Sequence, residues 1–536
     1  MRPHLSTLLA GLALALAANP ETVAQNGFVN WEHSHVHPLE LTPDGARLLA
    51  VNTPDDRLEV FDARGPELVP LAAISVGVDP VSVRARSATE AWVVNHVSDS
   101  VSIVDLVTGR VTATLDTDDE PADVIFAGLP QRAFVSCSQA NTVLVFDPAD
   151  LSAPPVRLEI AGEDPRALAV DSLCRSVYVA VFESGNGSTI LGGGLTIGGG
   201  FPPNVVNHGS GPHGGTNPPP NDGAAFDPPQ KPGNPAPPAV GLIVKQDDLG
   251  RWMDDNGGDW SDLVDGPQAA LSGRPVGWTL TDHDVAVIDA QSLTIDYIDR
   301  LMNINMAIAV NPADDRVSVV GTDATNEVRF EPVLKGKFTR VNLALADPGG
   351  ATSVVDLNDH LTYASSSVPQ AQRDLSLGDP RGIAWNTLGT RAYVTGMGSN
   401  NVVVVDGNGA RAGLAPTIEV GEGPTGIVLH EALGRAYVLD KFESAVSVID
   451  LGLELETARV AFPDPSPLAI KAGRKHLYDT HKNSGLGQIA CGSCHVDSRM
   501  DKLSWDLGDP AGDVKGNGRI CRQGSGQAHG SKISTT

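Results

Sequence analysis

Residues 491–495 read Cys-Gly-Ser-Cys-His. Two thiols three positions apart, with an imidazole directly after the second, make the C-x-x-C-H signature of c-type haem attachment. In that chemistry Cys491 and Cys494 each add to a haem vinyl group, and His495 reaches the iron as proximal axial ligand. Paired cysteines serve two other chemistries. A structural zinc site wants a second ligand pair, and the chain has no other C-x-x-C. A redox dithiol sits in a βαβ setting, which the flanking sequence lacks. The motif therefore predicts one covalent haem c.

Two further constellations offer metal ligands. In "HSHVH", His33, His35 and His37 occupy alternate positions. On an extended strand they share one face, which suits a metal ion or, more remotely, a distal haem ligand. The competing reading is an N-terminal lead-in that is not extended throughout. In "DDNGGDW", Asp254, Asn256 and Asp259 carry oxygen ligands of the kind Ca²⁺ takes. Their spacing does not fit an EF-hand loop, so a solvated turn competes with the Ca²⁺ reading. No hydrolase elbow, phosphate loop or dinucleotide fingerprint stands out.

Most of the chain consists of a repeat that must position these groups. Apolar strands end in "LEVFD" (Asp62), "VSIVD" (Asp105), "VLVFD" (Asp147), "VAVID" (Asp289), "VRFEP" (Glu331), "VVVVD" (Asp406) and "VSVID" (Asp450). Several intervals run 42 to 44 residues, and two carry insertions. That period, with several short strands rich in β-branched and aromatic residues per unit, is the signature of propeller blades. Seven units are counted. The fold expected is mainly β, a seven-bladed propeller over residues 26–462, interrupted by a Gly/Pro-rich insertion at 184–240. Gly and Pro at that density predict an irregular loop without helix or sheet.

The units "AWVVNHVSDSVSIVD" (91–105) and "AYVTGMGSNNVVVVD" (392–406) resemble the YVTN β-propeller repeat. The resemblance speaks to fold, because this fold hosts unrelated activities. The stretch holding "LYDT" (477–480), Ser484 and "GQIACGSCH" (487–495) resembles the start of the bacterial di-haem cytochrome c peroxidases and the related tryptophylquinone-maturing enzymes. It implies thioether attachment at Cys491 and Cys494 and axial ligation by His495. That family needs a second C-x-x-C-H, which is absent here.

Aligning the units on the Pro that opens each inner strand places His37, Asp79, Glu120, Asp164, Asn305, Asp379 and Gly423 before it; the fifth unit has Met306 in the Pro position. These residues should surround one mouth of the central channel. Like charges in a ring need a cation, a basic partner or arginines to neutralise them, and Arg166 and Arg381 follow two of the prolines. The competing reading is that Asp-Pro and Glu-Pro simply start turns.

Residues 1–24 combine Arg2, a short apolar run and small residues, so they read as a signal peptide, and a periplasmic or otherwise exported protein is expected. No later stretch is apolar enough to span a bilayer. A net charge of −27 argues against nucleic-acid binding. Five cysteines supply no disulfide framework, although Cys137 and Cys174 can in principle pair. After the propeller come a Pro-marked linker (463–468), a small α-helical cytochrome c segment (469–515) and an irregular tail (516–536). The tail does not read as the rest of a haem domain, so the segment is expected to be truncated or frameshifted after Lys515. Met500 is too close to His495 to reach the other haem face, His529 lies in the tail, and Trp505 is expected to pack on the haem.

The function expected is electron transfer through one covalent haem, with the propeller docking a redox partner protein or a small-molecule electron donor or acceptor. The alternatives are a peroxidase-like oxidoreductase, or a non-enzymatic binding protein whose haem segment is vestigial.

Overall fold

The computed structural model describes residues 29, 33–191, 218–220, 233, 242–254, 257–272, 280–324, 339–363, 365, 367–411 and 417–498. The predicted signal peptide, most of the 184–240 insertion, Asn256, Glu331, Met500, Trp505, Cys521, His529 and the tail lie outside them.

Strands pair in sequence order into antiparallel four-stranded sets spanning 39–75, 80–116, 121–159, 163–298, 304–356, 380–419 and 424–461. The fourth and fifth sets are linked by one pairing, Glu183 with Ile304. Within the set at 80–116, strand Glu90–Asn95 pairs with Pro80–Ala85 on one side and Ser100–Asp105 on the other. These inner strands are buried along nearly their whole length, whereas Arg110–Asp116 alternates exposed and covered residues. A strand enclosed by neighbouring sheets on both faces reads as a continuous apolar run; an outer strand can afford charge, which also blunts edge pairing.

The sets stack face to face. Trp92 of the second meets Phe126 of the third edge-on, centroids 5.4 Å apart. The first and last sets share one core, in which Leu48 and Leu58 join Tyr437 and Leu439. A Cβ on Gly426 would meet Pro38 at 2.7 Å, so only glycine admits the first inner strand at this seam. The ring is thereby closed, the radial arrangement of a β-propeller.

Two expectations are corrected. Residues Ser188–Leu191, inside the stretch read as irregular, form a strand that pairs with Leu242–Gln246. This small sheet, completed by Trp252–Met253, is anchored by Trp252 and Trp260, which bury with Leu263 and Val264. The aromatic anchors lie beyond the Gly/Pro stretch, which is why composition within it misleads. In the fifth set the third strand is Thr339–Ala346, not the run ending at Glu331. Fourteen intervening residues separate it from Val317–Ala324, so the repeat period is lengthened here.

After the last set the chain crosses the rim. Helix Leu468–Tyr478 begins one residue before the expected boundary, a short helix follows at Thr480–Asn483, and the single turn Cys491–Cys494 carries the paired cysteines. Among the described residues no helix is long and apolar enough to cross a membrane.

Candidate functional site

The rim positions share an unusual backbone. Asp79, Glu120, Asp164 and Asp379 all have φ between 52° and 66°, and Gly423 has φ 73°. Non-glycine residues reach this left-handed region only when the surroundings impose it. Here the imposing contact repeats: Asp56, Asp99, Asn141 and Asn400 each accept, through a side-chain oxygen, the backbone N–H of Asp79, Glu120, Asp164 and Gly423 in the following set. These stitching residues escaped the sequence reading. Their signal was an Asp or Asn directly before the third strand of these four sets.

Two of the rim carboxylates are neutralised by arginines of the chain itself. Arg166 pairs with Asp164 at 2.9 Å and Arg381 with Asp379 at 3.0 Å, all four side chains being buried. Both arginines also reach Asp497, at 2.7 Å from Arg166 and 3.1 Å from Arg381, and the Ser34 hydroxyl donates to the same carboxylate. Burial alone would push Asp497 up, but Arg381, Arg166 and Ser34 outweigh it and hold the carboxyl well below its usual range. Arg381, buried yet flanked by two carboxylates, is held above its ordinary value.

Asp497 belongs to the C-terminal segment, two residues past His495. Next to it, Val496 is buried among Phe182, Ile304 and Met306. Farther back, the Gln488 amide donates to the Thr339 carbonyl and its oxygen accepts from Asn358. Thr480 donates its N–H to Gly398, and a Cβ on Gly378 or Gly398 would strike the Thr480 side chain at 2.5 or 2.6 Å. The segment is thus seated on the ring by buried contacts along its length.

The C-x-x-C-H turn lies on top of this seat. Gly492 is buried, its α-carbon so close to Tyr478 that a Cβ would meet the ring at 2.7 Å. Cys491 and His495 are exposed and Cys494 is half-buried; the two thiols are not joined in a disulfide. Two accessible thiols on one helical turn followed by an accessible imidazole fit covalent haem attachment. Cys137 and Cys174 are likewise not joined: Cys137 is buried, its thiol pushed up to about 12 by desolvation, and Cys174 is exposed.

The histidines of "HSHVH" are not brought together. His35 is buried between Thr53 and Thr425; because the Thr53 hydroxyl donates to the Pro80 carbonyl, His35 Nε2–H donates to Thr53 and Nδ1 accepts from Thr425. Burial, then the charges of Lys441, Arg474 and Arg381, hold His35 well below the usual histidine range. His37 pairs with Glu40 at 2.6 Å. His33 turns instead to Asp79, 2.9 Å from its Nδ1, and to the ring of His96. The lead-in is not a strand here, so alternation does not place the three on one face.

Of the oxygen cluster, Asp254 accepts from Trp260 Nε1 at 2.6 Å and from the Gly258 N–H, while Asp259 accepts from the N–H and hydroxyl of Ser261. Both carboxylates are engaged in local turn structure.

The sequence matches no established protein-family profile, and no curated protein matches it. Solved structures do. Hydrazine synthase from Kuenenia stuttgartiensis is similar over 80% of this chain and 98% of its own, at 16% identity and a TM-score of 0.50. AztD from Citrobacter koseri is similar over 79% and 86%, at 10% identity and a TM-score of 0.37. A catalytically inactive virginiamycin B lyase from Staphylococcus aureus, solved with quinupristin, is similar over 76% and 92%, at 8% identity and a TM-score of 0.39. At these identities the likeness to the hydrazine synthase chain speaks for fold alone, and that fold is the β-propeller.

Proposed function

We propose that the chain is an exported electron-transfer protein with one haem c, built as a seven-bladed YVTN-type propeller that seats a cytochrome-like segment on its channel rim. Cys491 and Cys494 would hold the haem covalently and His495 would ligate the iron. Bound there, the group supplies single-electron chemistry, tuned by its axial ligands and burial.

One observation carries the reading. Asp497 ties the motif to the propeller through two buried arginines, while Cys491 and His495 stay accessible. A purely structural use of the motif needs neither the accessible thiols nor the fixed seat. The roles of the chain's own residues follow from that. Asp497 and Val496 fix the height of the motif above the rim, Tyr478 backs the Gly492 turn, and the propeller offers the surface against which a redox partner or small electron donor or acceptor is held.

The test is expression with a c-type maturation system, followed by peroxidase staining of a denaturing gel and a pyridine haemochrome spectrum. Stain that survives denaturation and disappears in Cys491→Ala/Cys494→Ala supports the reading. A colourless wild-type product overturns it.

A further inference from the structure

The same rim carries a second cluster that the haem reading does not use. His33, His96 and Glu120 come from the lead-in, the second set and the start of the third. One nitrogen of each ring and a carboxylate oxygen of Glu120 all lie within 4.8 Å of one another. His96 Nε2 is 3.7 Å from Glu120 Oε2, and the imidazole centroids are 4.6 Å apart. Three ligands at 2.0–2.1 Å from a tetrahedral ion would stand about 3.4 Å apart, a change small enough for side-chain rotation.

The atoms behind these ligands are arranged as metal sites require. His96 Nδ1 lies 3.0 Å from the Pro121 carbonyl, which can only accept, so that nitrogen carries the proton. In the neutral ring Nε2 then presents its lone pair toward the Glu120 carboxylate. A proton or a metal ion between the two atoms relieves their repulsion. His33 Nδ1 is held by Asp79, a fully buried carboxylate whose Oδ1 has no hydrogen-bond partner among the described residues. A histidine oriented through its other nitrogen by a carboxylate or a backbone carbonyl is the usual supporting shell of a bound transition metal. Glu120 is pinned as well: its N–H goes to Asp99, and its carbonyl accepts from the N–H and hydroxyl of Ser138.

We propose that His33, His96 and Glu120 bind one divalent first-row transition ion of the zinc class, with Asp79 as the positioning residue for His33. Two imidazoles and one carboxylate leave a coordination position for water or a ligand, as in open rather than closed metal sites. The site is independent of the haem assignment, although Ser34, the residue after His33, is itself bonded to Asp497.

The full chain is titrated with Zn²⁺ by calorimetry, with Co²⁺ as an absorption probe, in the wild type and in Cys491→Ala/Cys494→Ala. One equivalent is expected in both. His96→Ala and Glu120→Gln should each weaken binding at least 10-fold, and Asp79→Asn by roughly 10- to 100-fold. His37→Ala should leave it unchanged. Circular dichroism reports whether His96→Ala folds, and Glu120→Gln, a half-buried isosteric change, carries the test if it does not. Failure of the wild type to bind Zn²⁺, binding lost with the cysteines, or binding unaltered in Glu120→Gln and Asp79→Asn overturns the proposal.

Discussion

The Asp497 carboxylate lies between two guanidinium groups, 2.7 Å from Arg166 and 3.1 Å from Arg381, although the residues are separated by 331 and 116 positions in sequence. Each arginine already has its own rim partner, Asp164 or Asp379. The four groups Asp164, Arg166, Asp379 and Arg381 balance without Asp497, so the fifth, anionic group adds a net charge that the Ser34 hydroxyl and the arginines must stabilise. Asp497 is therefore a docking residue, selected by geometry for the segment that brings it.

Removing Asp497 should undock the C-terminal segment before it unfolds the ring. Asp497→Ala removes charge-assisted hydrogen bonds from two buried guanidinium groups that keep their rim partners, a loss of the kind that costs about 1.5–3 kcal/mol. The propeller core does not depend on the contact, so the expected outcome is early proteolytic cleavage between residues 463 and 498 with a propeller fragment surviving. Cleavage at the wild-type rate would show that the contact does not hold the segment.

Two groups should each weaken the fold in acid, against the opposite slope of buried carboxyls such as Asp284, which burial pushes up to about 8. His35 is held below the usual histidine range in the fold, so below about pH 6.5 the unfolded chain takes up a proton that the folded chain does not. The stability His35 contributes is complete above that pH and declines as pH drops. Asp497 is likewise depressed, so its contribution is complete above about pH 4 and declines below it. Urea unfolding across pH should show His35→Gln flattening the upper window and Asp497→Asn the lower. The same slope in wild type and His35→Gln between pH 7 and 5 would refute the first assignment.

Gly492 should be irreplaceable. Alanine there puts a Cβ 2.7 Å from the Tyr478 ring, which is itself backed by Phe442 with centroids 4.8 Å apart. Overpacking of this kind costs about 1–3 kcal/mol. Gly492→Ala should lower the thermal midpoint of the C-terminal segment and reduce haem incorporation, and pairing it with Tyr478→Leu should restore much of both. A silent Gly492→Ala would mean that the turn is loosely seated.

The repeat was legible because enclosed strands must be apolar along their whole length: "SVSIVD" and "NVVVVD" announce themselves wherever they fall. The rim was legible for a related reason, since Pro opens the inner strands at Pro80, Pro121, Pro380 and Pro424 and marks the residue before it. What a strand pattern cannot carry is contact across the ring. Nothing near Asp497 in sequence names Arg166 or Arg381, and His96 lies in a strand-end turn, far from the "HSHVH" run that drew attention to His33. The third strand of the fifth set, "TRVNLALA", carries leucines and alanines where most other third strands carry valine or isoleucine, so its pattern is weaker than theirs.

The stitches between sets lead to the last prediction. Asp99 accepts the Glu120 N–H at 3.0 Å and Asn141 accepts the Asp164 N–H at 2.9 Å, and each acceptor is itself left-handed, with φ 45° and 53°. Replacing either by alanine loses a hydrogen bond and places a residue poorly suited to that backbone region. Each change should cost about 1–2 kcal/mol. Glycine suits the backbone but also lacks the acceptor, so Asn141→Gly should be milder than Asn141→Ala, and Asn141→Asp should be nearly neutral. The order Asp, Gly, Ala in urea midpoints would separate the hydrogen-bond contribution from the backbone contribution. Equal midpoints for Gly and Ala would assign the whole effect to the lost bond, and with it the argument that the rim conformation is imposed from the neighbouring set.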